Sequence, residues 1–241
     1  MKLVQIPALP TMQNLGWIEL GKLSRKFKDD WTLIGGQLIQ LHCWERGAQP
    51  TRVTNDVDAV LNVVANPEIL RKVTSYLTQN GFSPAGTTND GHQYKWVKDG
   101  AEFDLLFPDN IGARAGGRTG ITGATTLETP GGKQVFDFDE KIEILLEGEN
   151  YLINRPNIWG ALFIKTKAVM NASDTGKERH LEDLAMLSTL ITTEDSKISG
   201  HRFLKRVIET GIGYLRAAPD ILAKVPGSDE GLQRIELILD I

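Results

Sequence analysis

The sequence predicts an α+β protein: a mixed sheet with flanking helices over residues 1–154, followed by a helical domain over residues 155–241. Two observations carry this prediction. Helix-like and strand-like segments follow one another through the first half of the chain, whereas from residue 155 onward apolar residues recur only at helical spacing. The 241 residues suffice for one large domain or two small ones, so the length is compatible with this division.

The first four elements alternate between helix and strand. Residues 15–29 space apolar side chains in steps of three and four, as an amphipathic helix does. The segment WTLIGG, residues 31–36, is a short apolar strand that ends in glycines, and a second helix is predicted from 37 to 46. The strand that follows lies in TNDVDAVLNV, residues 54–63, where β-branched and apolar residues predominate.

A helix and a hairpin come next. Pro67 suits the first turn of a helix that begins at Asn66 and stops at Gly81. Residues 92–98 and 101–107 are predicted strands, because an Asp-Gly pair between alternating residues is a strong hairpin signal.

The remaining segments complete the division into two parts. Residues 108–132 contain seven glycines and little apolar periodicity, which predicts a long loop with room for one short strand. Strands are expected at residues 134–138 and 142–146. The predicted helices of the second part cover residues 156–170, 178–191, 201–215 and 230–240.

Composition and charge narrow the function classes. The net charge of −4 provides no global basic field, so any contact with nucleic acid would need a local patch. The single cysteine, Cys43, excludes an internal disulfide and disfavours a cysteine-based zinc site. The N-terminus lacks the apolar core of a signal peptide, and no apolar stretch approaches the roughly 20 residues that span a bilayer. A cytoplasmic protein without membrane contact is expected.

Three aspartates form the candidate chemical centre. Asp56 and Asp58 stand two apart on a predicted strand, so their carboxylates point to the same face and repel each other unless a cation lies between them. Mg²⁺ commonly binds through such carboxylates and substrate phosphates. If the strand of Asp104 lies alongside, three carboxylates can hold two Mg²⁺ ions, with Asp104 as the third ligand or the general base. The pattern predicts metal-assisted phosphoryl or nucleotidyl transfer.

A glycine pair supplies a candidate phosphate site. Gly35 and Gly36 fall at a strand-to-helix turn. Glycine allows the backbone to approach a phosphate closely, and the start of the following helix offers unpaired N–H groups to an anion. The combination of this pair with the three strand aspartates is far more specific than either motif alone.

The pattern IGGQLIQLHCWERG…TRVTNDVDAV…EFDLLF resembles the minimal nucleotidyltransferases of the DNA-polymerase-β-like superfamily. Within it, the sequence is most similar to the AbiEii/AbiGii-type toxin nucleotidyltransferases of bacterial toxin–antitoxin and phage-defence systems. Arg52, Thr54, Asp56 and Asp58 match that family's Arg-x-[Ser/Thr]-x-Asp-x-Asp stretch, and Asp183 matches its late Asp-Leu. The resemblance covers roughly residues 30–190.

The resemblance implies a nucleoside triphosphate (NTP) substrate, Mg²⁺, and transfer of NMP to an acceptor, which in some members is the 3′ end of tRNA. It also implies a cognate antitoxin protein as partner. The nucleotide-binding residues that it indicates are Gly35, Gly36, Arg52, Thr54, Lys165 and Asp183, with Lys167 and Lys177 as alternative lysines. The superfamily's usual Gly-Ser is Gly-Gly here, and residues 108–132 have no counterpart in the family pattern.

Two alternatives remain open from the sequence. An enzyme of the same fold could use a small-molecule acceptor, as aminoglycoside adenylyltransferases do, and a catalytically silent nucleotide- or protein-binding module is the third hypothesis. A basic helix face would favour an RNA acceptor over the first alternative. That face consists of His201, Arg202, Lys205 and Arg206, and Arg114 and Arg118 in the glycine-rich loop could serve the same purpose.

Overall fold

The computed structural model describes residues 3–171, 176–196 and 202–240, and within them nine strands and ten α-helices. The strands are β1 Leu3–Gln5, β2 Trp31–Ile34, β3 Asp56–Leu61, β4 Ser83–Thr87, β5 Gln93–Lys98, β6 Ala101–Pro108, β7 Glu128–Thr129, β8 Asp139–Leu146 and β9 Glu149–Pro156. The helices are α1 Thr11–Lys26, α2 Gly35–Glu45, α3 Ile69–Gln79, α4 Gly112–Gly116, α5 Gly132–Val135, α6 Ile158–Met170, α7 Lys177–Leu190, α8 Arg202–Arg216, α9 Pro219–Lys224 and α10 Ser228–Leu239.

The main sheet is mixed and has the strand order β2-β3-β6-β5-β4. Its central pair, β3 and β6, is parallel, whereas β2, β5 and β4 run antiparallel to their neighbours. The short strand β7 extends the sheet beside the end of β6. The predicted α+β class, with a mixed sheet, flanking helices and a helical C-terminal part, is confirmed.

A second sheet, in the order β1-β8-β9, contains strands that the sequence analysis missed. β1 has only three residues, and β9 runs to Pro156, so the helical part begins later than residue 155. Asn157 starts α6 because its side chain accepts hydrogen bonds from the backbone N–H groups of Trp159 and Gly160. β4, Ser83–Thr87, was also missed, since its mostly exposed residues SPAGT give no apolar alternation.

The predicted strand at residues 134–138 is wrong. This segment forms the end of α5 and a 3₁₀ turn, Phe136–Phe138, rather than pairing with another strand. The ring of Phe138 lies 5.9 Å from that of Phe163 on α6, so the apolar residues of the segment pack against a helix. Short apolar runs give the same signal in a strand and in a buried helical turn, which is why periodicity could not separate them.

The glycine-rich segment 108–132 is held against the main sheet by backbone hydrogen bonds. It contains α4 and then runs beside β6, where the Phe107 N–H donates to the Leu127 carbonyl over 2.8 Å. The Gln93 N–H likewise donates to the Thr125 carbonyl over 2.8 Å. These bonds hold residues 125–130 beside the C-terminal end of β6.

α2 is fixed at its C-terminal end by a buried polar cluster. His42 Nε2 donates to the Pro156 carbonyl over 3.1 Å, and its Nδ1 accepts a hydrogen bond from Arg155. Arg155 also pairs with Glu45 at 2.6 Å. Burial, together with the Arg155 charge, keeps the pKa of His42 well below its usual value, so the ring is neutral. This anchoring holds the opposite end of α2, the glycine pair, in a fixed position against the sheet.

The helical part packs around α6, which is buried on nearly all sides between the sheet, α7 and α8. The helix predicted at residues 156–170 is therefore apolar on nearly all sides rather than amphipathic. No helix in the described part of the chain combines the length and apolarity that crossing a bilayer requires. The proposed division into two domains at residues 154 and 155 stays a prediction.

Candidate active site

The central strands bring the three aspartates together. In the parallel pair of β3 and β6, Asp58 lies directly opposite Asp104, and Asp56 points to the same face two residues earlier. One carboxylate oxygen from each of Asp56, Asp58 and Asp104 lies within 4.8 Å of the others. The sequence expectation that the strand of Asp104 neighbours that of Asp56 and Asp58 is confirmed.

The electrostatics of this triad fit a bound divalent cation. Burial, reinforced by the charges of Asp56 and Asp104, raises the pKa of Asp58 to about 7, and burial also raises the pKa of Asp104. Three carboxylates so close together are destabilised when all are ionised, and a hard cation relieves that repulsion. Carboxylate oxygens are also the ligands that Mg²⁺ prefers. Asp56, Asp58 and Asp104 are therefore suited to hold Mg²⁺.

The glycine pair is required by close packing against the same strand. Gly35 adopts φ +71°, and a Cβ there would lie 2.8 Å from Cβ of Asp58. At Gly36 a Cβ would lie 2.7 Å from Cγ2 of Thr54. The methyl group of Thr54 thus occupies the space that a serine side chain would need, which explains Gly-Gly in place of Gly-Ser. The start of α2, with the unpaired N–H groups of a helix N-terminus, consequently lies against Asp58.

Arg52 and Lys165 form the opposite wall, and both are held by the buried carboxylate of Asp183. Asp183 on α7 accepts two hydrogen bonds from Arg52, at 2.9 and 2.8 Å, and one from Lys165 on α6 at 2.7 Å. The side chains of Lys165 and Asp183 are 4% and 1% exposed. Burial alone would raise the pKa of Asp183, but the charges of Lys165 and Arg52 outweigh it and lower that pKa. The cluster carries one net positive charge next to the negative triad.

These groups enclose one cleft of about 340 Å³. Eight of the nine predicted site residues line it: Gly35, Gly36, Arg52, Thr54, Asp56, Asp58, Asp104 and Lys165. Asp183 does not line the cleft but lies behind Arg52 and Lys165, which it orients. Among the candidate lysines, only Lys165 is at the cleft in the described residues, since Lys167 lies beside Gly131 and Lys177 is exposed at the start of α7.

Sequence reasoning missed several cleft residues. Glu128 comes from the glycine-rich segment, Asn171 follows the end of α6, and Arg179 and His180 belong to the first turn of α7. The sequence carried no signal for Glu128 and Asn171, because both come from segments without clear periodicity. Arg179 and His180 could have been found from their proximity in sequence to Asp183, which stands one helical turn later.

A lysine on the neighbouring strand was also missed. Lys95 on β5 lies opposite Asp104 in the antiparallel β5–β6 pair. Its Nζ is 3.0 Å from Oδ1 of Asp104 and 2.7 Å from Oε2 of Glu102. Burial alone would lower the pKa of Lys95, but its hydrogen bond to Glu102 and its ion pair with Asp104 raise that pKa above the usual value. Lys95 is therefore a permanent cation beside the third aspartate.

The predicted basic patches lie away from the cleft. Arg118 is 3.8 Å from Glu68, Lys205 donates to the Asp240 carbonyl, and Arg114 and Arg206 are exposed. His201 lies outside the described residues. None of the described arginines and lysines in these two patches lines the site, so any contribution to acceptor binding would be peripheral.

The sequence and the structure were compared with those of known proteins. No protein-family model and no curated protein matches the sequence. Among solved structures, the chain is similar to an antigenic nucleotidyltransferase-like protein from Paracoccidioides brasiliensis, with a TM-score of 0.51 and 12% identity over 90% of this chain and 92% of that one.

The antibiotic-resistance factor ANT(2'')-Ia was also found in two structures. Its solution structure matches with a TM-score of 0.46 and 13% identity over 89% of this chain and 97% of that one. Its complex with adenylyl-2''-tobramycin matches with a TM-score of 0.45 and 11% identity over 85% and 99%. The first likeness shows that this chain has the fold of a nucleotidyltransferase-like protein, whereas membership of the superfamily and of the AbiEii/AbiGii-type family stays a prediction.

Proposed function

We propose that this protein is a Mg²⁺-dependent nucleotidyltransferase that transfers NMP from an NTP to a hydroxyl acceptor. The observation that carries the proposal is the convergence, in one cleft, of three carboxylates within 4.8 Å with a glycine turn and a buried lysine. Each group meets one need of the reaction: metal binding, close approach of phosphate, and compensation of its charge.

The chain's own residues have distinct parts in this proposal. Asp56, Asp58 and Asp104 would hold Mg²⁺, as two ions according to the sequence prediction, and bound Mg²⁺ supplies Lewis-acid stabilisation of the phosphate charge. Gly35 and Gly36 let the triphosphate approach the N–H groups at the start of α2.

The two cations of the opposite wall and the third aspartate have the remaining roles in the reaction. Lys165 and Arg52, both oriented by Asp183, compensate the negative charge of the triphosphate and of the leaving pyrophosphate. Asp104 accepts the proton of the acceptor hydroxyl as general base. The acceptor oxygen forms a bond to the α-phosphorus while the bond from that phosphorus to the β-phosphate oxygen breaks.

The acceptor proposed first is RNA, specifically the 3′ end of tRNA, with the protein acting as the toxin of a toxin–antitoxin or phage-defence pair. The support is the sequence resemblance of residues 30–190. A small-molecule acceptor is the second candidate, because Glu128 in the cleft wall would repel RNA phosphates and attract a cationic ligand. A silent binding module is disfavoured, since it would have no use for three mutually repelling carboxylates.

Nucleotidyl transfer to RNA is tested by incubating the purified protein with Mg²⁺, each labelled NTP in turn, and total tRNA. We expect label on tRNA with at least one NTP, and none with the Asp56→Ala variant, which loses a metal ligand but no core contact. A parallel reaction with aminoglycosides addresses the second candidate. If no NTP releases pyrophosphate with either acceptor class, the proposed activity is wrong.

The assignment of the triphosphate lysine is tested by comparing Lys165→Met with Lys167→Met. Both lysines lie on α6, but only Lys165 is buried at the cleft. We expect Lys165→Met to raise KM for the NTP by about tenfold or more, since one charge–charge contact at an effective dielectric near 20 exceeds ~1.4 kcal/mol. Lys167→Met should leave KM within about twofold. Equal effects of the two substitutions on KM would contradict the assignment.

A further inference from the structure

Lys95 contacts the site from the neighbouring strand, and the mechanism above gives it no role. It does not line the cleft, yet its ammonium group contacts the third aspartate, 3.0 Å from Oδ1 of Asp104. The contact is built into the sheet, because Lys95 and Asp104 are directly paired across β5 and β6 and therefore project from the same face. Glu102 completes the contact from the same strand as Asp104, at 2.7 Å.

We propose that Lys95 is a positioning residue that holds the Asp104 carboxylate and reduces the affinity of the triad for a divalent cation when no nucleotide is bound. The inference rests on the proposed metal site. A cation that already contacts one of the three carboxylates offsets part of the charge that attracts a metal ion. It also restricts Asp104 to the orientation in which its second oxygen remains available for the acceptor hydroxyl.

A consequence is that metal and nucleotide bind together. An incoming triphosphate adds several negative charges to the cleft, which restores the attraction for divalent cations that Lys95 has weakened. The free protein would then avoid holding a metal ion in the site before its nucleotide arrives. Because Lys95 acts on Asp104 and not on the triphosphate wall of Lys165, its loss should affect kcat rather than KM for the NTP.

The chain offers a matched control on the same strand. Lys98 also belongs to β5, its side chain is 25% exposed against 24% for Lys95, and it forms an ion pair with Glu19 at 3.0 Å. It has the same charge, strand and type of partner, but it does not contact the triad. If the loss of any half-buried lysine ion pair on β5 had the same effect, Lys98→Met would show it as clearly as Lys95→Met.

The experiment measures binding of Mn²⁺ alone to the full-length protein by titration calorimetry, without nucleotide. We expect Lys95→Met to bind Mn²⁺ about tenfold more tightly than the native protein, and Lys98→Met to bind like the native protein. Lys95→Arg, which keeps the charge, should restore the native affinity. If Lys95→Met does not fold, Lys95→Gln removes the charge with a side chain that still donates a hydrogen bond.

Steady-state kinetics provide the second measurement. Lys95→Met should lower kcat about tenfold with an unchanged KM for the NTP, and Lys95→Arg should recover most of that loss. Equal Mn²⁺ affinity in the native, Lys95→Met and Lys95→Gln proteins would overturn the inference while leaving the metal site intact. If neither the native protein nor Lys95→Met nor Lys95→Gln binds Mn²⁺, the metal site itself is wrong, and this inference with it.

Discussion

Replacing Asp58 with asparagine is expected to abolish nucleotidyl transfer while making the metal-free protein more stable. Asp58 lies opposite Asp104 and against Gly35, so it is the centre of the triad. Losing a metal ligand removes several kcal/mol of transition-state stabilisation, and ~4 kcal/mol corresponds to about a thousandfold in rate. Asparagine has nearly the same shape, so the packing against Gly35 is preserved.

The stability gain has a defined pH dependence. The pKa of Asp58 is about 7 in the folded protein and near 3.8 without the fold. Between these values the folded state keeps a proton that the unfolded state has released, so the free energy of unfolding falls as the pH rises from about 4 to 7. The full penalty, on the order of 2 kcal/mol after allowance for partial exposure, is present above pH 7 and absent in the asparagine variant.

The measurements are the transfer rate with Mg²⁺ and the melting temperature in a chelator at pH 5 and pH 8. We expect Asp58→Asn to melt above the native protein at pH 8, with a smaller gap at pH 5. Asp90→Asn, in the exposed turn between β4 and β5, serves as the control and should change neither quantity. A variant that retains transfer activity, or that loses stability at pH 8, would disprove this account of Asp58.

Substituting Asp183 by asparagine is expected to have the largest effect on stability. The carboxylate is 1% exposed and holds both Arg52 and Lys165, so its neutralisation leaves two cations next to each other, one of them buried. Removal of one partner from a buried ion pair costs about 3–5 kcal/mol, because the remaining charge is uncompensated. Catalysis should fall as well, since both cations lose their orientation toward the triphosphate.

A double substitution separates the two effects. Lys165→Met in the Asp183→Asn background removes one of the uncompensated cations, so we expect a large part of the lost stability to return while activity remains low. Glu178→Gln provides the control on α7, since its pair with Lys224 is exposed and its loss should leave the melting temperature unchanged. Denaturant unfolding gives the stabilities. If Asp183→Asn unfolds like the native protein, Asp183 does not hold the wall of the site.

The three aspartates and the glycine pair were predicted from local sequence, because each of these motifs belongs to one element, whereas the other site residues followed from the family resemblance. Asp56 and Asp58 share a face by strand geometry, and Gly35 and Gly36 follow a strand of four buried residues. The hairpin containing Asp104 was fixed by its turn, where Asp99 and Gly100 both adopt positive φ. Periodicity and turn chemistry are properties of a few neighbouring residues, so they can be recognised without knowledge of the fold.

Contacts between elements could not be predicted in this way. The spacing of Lys165 and Lys167 showed that only one could face the site, but the rotation of α6 about its axis depends on the helices and strands that surround it. The contact between Lys95 and Asp104 likewise depends on the register of β5 and β6. Residues 134–138 are helical because their apolar side chains pack against α6 rather than against a neighbouring strand.

The sequence by itself determined the class of fold, the two faces of β3 and β6, the glycine turn and the chemical identity of the triad. These follow from side-chain spacing and backbone preferences that act over a few residues. Only the tertiary structure decided that Asp58 lies opposite Asp104, that Asp183 holds Arg52 and Lys165 from behind, and that Lys95 contacts the triad. Those contacts join residues far apart in the chain, and they form only when strand register and helix packing minimise the free energy of the whole molecule.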